Sequence, residues 1–213
     1  MKVLALTVGP FQENTYLVVD DETNRAVLID PGDEPDQILR MVEESGAKLE
    51  AIWLTHGHLD HIGGIAGIRR VHDVPVHLHP EDLPVFARGE SQAREYEVAF
   101  EQPEPPDVEL ADGQLLTLGT LQFDVVHTPG HAPGHVIFAH GNTVFGGDLL
   151  FAGSIGRTDL MFADPVAMEA SLARLCEFDD ATVVHPGHGP STTIGRERES
   201  NVFLNGGARI VRR

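Results

Sequence analysis

Cysteine is almost missing from this chain. Cys176 stands alone among 213 residues, so no intrachain disulfide can form and the composition gives no sign of an oxidising, secreted setting. Basic residues are scarce as well: 15 Lys and Arg face 33 Asp and Glu, a formal net charge of −18. Nucleic acid and anionic membrane both demand basic patches, so neither is expected as a partner. A bound cation would invert the local field, and a small anionic substrate stays admissible. No stretch approaches the roughly 20 apolar residues of a membrane span. The N-terminus, Met1-Lys2-Val3-Leu4-Ala5-Leu6-Thr7-Val8, lacks a small-residue cleavage pattern and reads as a strand, not a signal peptide. The expectation is a cytoplasmic protein with one domain over residues 1–213, long enough to bury a substantial core.

The apolar pattern predicts strands near 2–8, 14–20 and 25–30, the last stopped by Pro31-Gly32. A helix follows near 35–45, where Ile38, Leu39 and Met41-Val42 share a face and Gly46 stands at the C-cap position. Residues 51–54 form a short strand, 62–72 a helix and 75–79 a strand. Residues 88–107, rich in Glu and Pro, read as a solvated surface connection that could lie over the site. Further strands are expected near 114–118, 121–127, 135–139, 143–146 and 181–185, with a helix near 165–178. On that helix Met168, Leu172 and Cys176 recur at i, i+4, i+8, which makes Cys176 a buried core thiol. Many strands with interspersed helices suggest two packed sheets flanked by helices.

Four stretches carry chemistry: Thr55-His56-Gly57-His58-Leu59-Asp60-His61, Thr128-Pro129-Gly130-His131, Gly146-Gly147-Asp148 and Pro186-Gly187-His188-Gly189. Each follows a predicted strand. Side chains two apart on an extended segment share a face, so His56 and His58 point together and Leu59 turns toward packing. Asp60 and His61 are adjacent and diverge, as service to a second cation requires. Imidazole and carboxylate donors without thiolate suit zinc, and also iron or manganese. Asp148 can bridge two cations with its two oxygens. His131, Asp148 and His188 are each weak signals alone, but their order and contexts fit one plan.

These stretches, with Val27-Leu28-Ile29-Asp30-Pro31-Gly32 and Pro186-Gly187-His188-Gly189-Pro190-Ser191-Thr192-Thr193, make the chain resemble a metallo-β-lactamase-fold hydrolase of the small glyoxalase II-like (hydroxyacylglutathione hydrolase-like) branch. The resemblance implies an α/β fold, an αββα sandwich with the site at one edge between the sheets. It implies two divalent metal ions, zinc first, held by His56, His58 and His131 on one side and by Asp60, His61 and His188 on the other. Asp148 would bridge them, and Asp60 and Asp148 would be the catalytic carboxylates. Asp30 would orient the ligands by hydrogen bonds. His72, His77, His79, His127, His135, His140 and His185 have no place in that set, and His185 is expected to be structural.

A water shared by two cations ionises near pH 7, and the resulting hydroxide attacks a carbonyl. A thiolate leaves readily, whereas an amide nitrogen needs a proton first, so a small thioester or ester is the expected substrate. The resemblance thins at the glutathione site. Full-length glyoxalase II enzymes bind glutathione partly through a C-terminal helical segment, and only 24 residues follow Gly189. They also carry a Lys and a Tyr where this chain has Arg157 and Asp159. Arg157 is a candidate for a substrate carboxylate, or else a loop residue paired with Asp159. Gly156-Arg157-Thr158-Asp159 also resembles the one-iron persulfide dioxygenases, the main alternative reading. Lactonase or weak β-lactamase activity is a further one. The oligomeric state stays open.

Overall fold

In the first half of the chain the elements run β1 (Lys2–Val8), β2 (Glu13–Asp20), β3 (Arg25–Ile29), α1 (Pro35–Ser45), β4 (Lys48–Trp53), α2 (Leu59–Ile62), α3 (Ile65–Arg69), β5 (Val76–Leu78), α4 (Leu83–Phe86), α5 (Gly89–Tyr96) and β6 (Val108–Glu109). The second half adds β7 (Leu115–Leu118), β8 (Leu121–His127), β9 (Val136–His140), β10 (Thr143–Gly147), β11 (Leu150–Phe151), β12 (Ser154–Ile155), α6 (Pro165–Leu175), β13 (Val183–Pro186), β14 (Thr192–Thr193) and α7 (Ile194–Ser200). The structure, a computed structural model, describes residues 1–208 and 210.

Two six-stranded mixed sheets result. One has the order β1-β2-β3-β4-β5-β6, antiparallel at its β1 end and parallel from β3 to β6. The other has the order β14-β13-β10-β9-β8-β7 and is parallel only between β10 and β13. Strand alternation sorts the core into three pools. Tyr16, Val18, Val27, Ile29 and Trp53 face Phe123, Val125, Phe138 and Phe145 across the gap between the sheets. Their neighbours Leu17, Val19, Leu28 and Ile52 turn the other way, onto Ile38 and Val42 of α1 and Ile62, Ile65 and Ile68 of α2 and α3. On the far side Ile137, Val144 and Val184 pack against Met168, Leu172 and Leu175 of α6 and Ile194 of α7. Central strands covered on both faces therefore read as continuous apolar runs. The expected αββα sandwich is the observed fold.

Several expectations need correction. The single helix foreseen at 62–72 is two short ones, α2 and α3, parted at Gly63-Gly64. Residues 88–107 are not all loop: Gly89–Tyr96 is helical, and β6 adds an edge strand after it. The helix foreseen at 165–178 ends at Leu175, so Cys176 is its cap residue and only half-buried rather than in the core. The short α4, α7, β11, β12 and β14 carry too little periodicity to be read from sequence. Gly46 does cap α1, in the left-handed conformation with φ 66°. No helix among the described residues is long and apolar enough to cross a membrane.

Candidate metal centre

All four histidine- and aspartate-bearing stretches emerge from strand ends on one edge of the sandwich, following β4, β8, β10 and β13. Asp30 follows β3 and adopts the left-handed conformation, φ 48°, which Asp tolerates better than most residues. That kink ends the strand and turns the carboxylate onto the Thr55–His61 stretch. Its Oδ1 accepts from Thr55 N at 2.7 Å and its Oδ2 from the Thr55 hydroxyl at 2.6 Å.

At this edge donor atoms close enough to share a cation converge in His56, His58 and His131, in Asp60, His61 and His188, and in Asp30, His56 and His61, which overlaps both. Asp148 stands between the first two. Its Oδ2 lies 3.4 Å from His131 Nε2 and 3.6 Å from His188 Nε2, and its Oδ1 lies 3.5 Å from His61 Nε2. Asp60 Oδ2 lies 3.3 Å from His188 Nε2. The seven residues named as candidate ligands from the sequence thus lie together at this edge. Arg157 sits at the rim with its guanidinium bidentate on Asp159 at 2.9 and 3.1 Å.

The imidazoles are oriented from outside. His61 Nδ1 faces Asp30 Oδ2 at 3.0 Å, His131 Nδ1 donates to the Arg157 carbonyl at 2.9 Å, and His188 Nδ1 donates to the Gln12 carbonyl at 3.3 Å. His56 Nδ1 donates to the Thr55 hydroxyl, whose own proton goes to Asp30. Each of these bonds places the ring proton on Nδ1 and leaves Nε2 bare toward the centre. His58 presents Nδ1 instead, 2.9 Å from His131 Nε2. His56 Nε2, His61 Nε2 and Asp148 Oδ1 are buried and have no hydrogen-bond partner. Orphaned buried acceptors of this kind are costly unless something electropositive satisfies them. The donor set and its convergence fit a pair of divalent cations.

Electrostatics separate the neutral rings from His61, which holds a proton that a bound cation would have to displace. Burial, then the neighbouring rings, push His56 well below the usual imidazole range. Burial and His131 bring His58 down to about 3, so both are neutral donors at ordinary pH. Burial opposes charge on His61, but Asp148, Asp30 and Asp60 outweigh it and raise that imidazole well above its usual range. Burial likewise opposes ionisation of Asp60, and His61 and His188 overcome it, so its carboxyl is lowered.

Supporting residues were missed in the sequence. His135, set aside as a non-ligand, is fully buried, and its Nε2 accepts from Asp148 N at 3.0 Å. Asp82 is buried and accepts from Gly57 N at 2.5 Å and Gly134 N at 2.7 Å, tying the His56–His58 stretch to the His131 loop. Asn14 and Tyr16 on β2 hold the Pro186-Gly187-His188-Gly189 loop: Tyr16 OH donates to the Pro186 carbonyl at 2.7 Å, and Asn14 Nδ2 to the Gly189 carbonyl at 2.8 Å. Glu13 is buried beside His61, its Oε1 without a partner and 3.9 Å from His61 Nδ1. The available signal was the polar run Glu13-Asn14-Thr15 in a strand buried along its whole length. His185 stacks on Phe145 and bonds Ser191. His79 and His127 stack at 4.2 Å with planes 9° apart, near Glu81. Imidazole lone pairs lie in the ring plane, so two parallel rings cannot both aim at one cation.

A sandwich of two mixed sheets between helices, with His and Asp clusters at one edge, is the plan of the metallo-β-lactamase superfamily. The chain belongs to that superfamily, whose sequence model matches residues 8–188. Hydroxyacylglutathione hydrolase GloC of Haemophilus influenzae is 37% identical over 210 residues, 96% of this chain and 99% of that protein. Among solved structures, TTHA1623 in a di-iron-bound form superposes with a TM-score of 0.89 at 48% identity, covering 95% of this chain and all of that one. BLEG-1 B3 metallo-β-lactamase superposes with a TM-score of 0.86 at 36% identity, covering 96% of this chain and all of that one.

Proposed function

We propose that this protein is a dinuclear-metal hydrolase of thioesters, acting in the cytoplasm. The observation that carries the reading is the pair of donor clusters joined by the two oxygens of Asp148. In this reading His56, His58 and His131 hold one cation, Asp60, His61 and His188 the other, and Asp148 both. When bound, two such cations supply a water of lowered pKa and electrophilic stabilisation for a carbonyl oxygen. Asp30, Thr55 and the Arg157 and Gln12 carbonyls keep the imidazole Nε2 atoms bare and aimed. Outside the clusters, the titratable groups on the pocket wall are Arg88, Glu95, Tyr96 and Arg157. Glu95 lies 3.4 Å from Arg88, and an amine leaving group needs a proton. A thiolate, whose conjugate acid ionises near pH 8.5, departs without one. The similarity to GloC supports the same class, and the di-iron form of TTHA1623 leaves iron beside zinc as the metal.

A one-iron dioxygenase needs only three protein donors. The second cluster here supports hydrolysis over that alternative. The test is hydrolysis of S-D-lactoylglutathione and of a simple acyl thioester by protein of measured metal content. The reading holds if turnover requires two metals per chain and vanishes in His56→Ala. It fails if fully loaded protein leaves both substrates intact.

A further inference from the structure

The pocket over the clusters has a cavity of about 360 Å³, within the range of small-molecule sites. Its walls are mostly apolar. On one side Tyr96, at the end of α5, meets Phe11 edge-on at 5.2 Å between centroids. Phe151, Leu160, Met161 and Phe162 also line the pocket. Both sets are anchored to the centre. Gln92 of α5 accepts from Leu59 N at 3.1 Å, beside Asp60, and the Phe151 ring lies against His188 at 5.9 Å.

Two features mark this wall. Met161 and Phe162 line it and are 59% and 48% exposed. Phe162 also sits at φ 71°, a conformation that glycine adopts freely and a bulky side chain does not. A strained, exposed aromatic at a pocket mouth is the pattern of a ligand clamp. The rim cations, meanwhile, are matched within the chain: Arg88 by Glu95 and Arg157 by Asp159. A polyanionic substrate portion would have to displace those carboxylates.

We infer that the cleft between Tyr96 and Phe162 seats an apolar acyl group, so that the substrates are alkyl or aryl thioesters. This rests on the thioesterase reading above and narrows it. Water adds to the acyl carbon, the carbon–sulfur bond breaks, one water proton goes to the leaving sulfur, and a thiol, an apolar carboxylate and the second proton are released.

The experiment uses straight-chain S-acyl-N-acetylcysteamine thioesters from acetyl to octanoyl, with metal-loaded protein. In parallel, dissociation constants are measured for the matching S-alkyl thioethers, which cannot be hydrolysed. Each added methylene is expected to tighten thioether binding, and to raise kcat/KM through KM, by about threefold until the cleft is filled. Phe162→Gly removes the ring and relieves the backbone, so its melting temperature should hold or rise. The chain-length slope should flatten, and Tyr96→Ala should flatten it from the other wall. A flat thioether series in the unaltered protein, or a slope that survives both substitutions, overturns the inference. Rising thioether affinity with no hydrolysis at any length keeps the apolar cleft and sinks the thioesterase reading. Hydrolysis with flat binding does the reverse.

Discussion

Oδ2 of Asp30 lies 3.0 Å from Nδ1 of His61, and both side chains are buried. The carboxylate accepts a hydrogen bond from Nδ1–H and so turns His61 Nε2 toward the centre. Asp30→Ala removes that acceptor and also frees the Thr55 backbone N–H. Metal affinity should fall by about ten- to a hundredfold, read by competition with a chelator of known affinity. Unchanged affinity would show that His61 is oriented by packing alone.

Asp148 has a carboxylate oxygen within 3.6 Å of an imidazole nitrogen of each cluster. Asp148→Ala should reduce metal content from two to one or fewer per chain and lower kcat by at least about a hundredfold. Elemental analysis and steady-state kinetics on the same preparation check it. Retention of two metals would remove Asp148 from its bridging role.

Gly187 lies against the centre from the β13 side. A Cβ there would land on Asp148 Oδ1 and press on His61 Cε1. Gly187→Ala should therefore abolish loading of the second cation while far-UV circular dichroism stays unchanged. Full metal loading in that variant would contradict the close approach.

Asp82 gives a pH signature. Burial pushes its carboxyl up to about 6, against the pull of the Gly134 and Gly57 N–H groups, from an ordinary value of 3.8. The folded state therefore holds a proton that the unfolded chain has lost between those values. This contribution to stability is full below about pH 4 and is lost as pH rises through about 6, up to roughly 3 kcal/mol. Asp82→Asn should lack that slope. It should also leave one N–H facing an amide NH₂, at a pH-independent cost of about 1–3 kcal/mol. Urea midpoints of chelator-treated protein between pH 4 and 7 measure the difference. Parallel curves for the two proteins would refute it.

His135 holds the Asp148 backbone without touching the cations. His135→Ala leaves a buried N–H unpaired and should cost about 1–3 kcal/mol of stability. Metal affinity should drop as Asp148 loosens. Thermal melts with and without metal separate the two effects, and loss of stability alone would limit His135 to packing.

The layer order and the candidate donors were legible in the sequence, the first from local patterning and the second from motifs shared with a known family. Runs such as Ala26-Val27-Leu28-Ile29 announce strands buried on both faces, and His56-Gly57-His58-Leu59-Asp60-His61 packs four donors into one turn of chain. Asp148 and His188 could be named because each stands directly after an apolar strand.

What the sequence could not show are relations between distant segments. Asp82 binds Gly57 and Gly134, respectively 25 and 52 residues away. Asn14 binds the carbonyl of Gly189, 175 residues away. A polar residue alone does not declare its partner, since only packing two sheets together brings the groups within hydrogen-bond distance. The helix Gly89–Tyr96 was hidden because its apolar stripe is thin and it is held by Gln92 and Gln102 rather than by a buried face. Phe162 is as opaque, because a positive φ at a phenylalanine opposes local preference and is imposed by the loop around it. Local chemistry wrote the donors into the chain. Long-range packing supplied their orientation, their burial and the shape of the pocket above them.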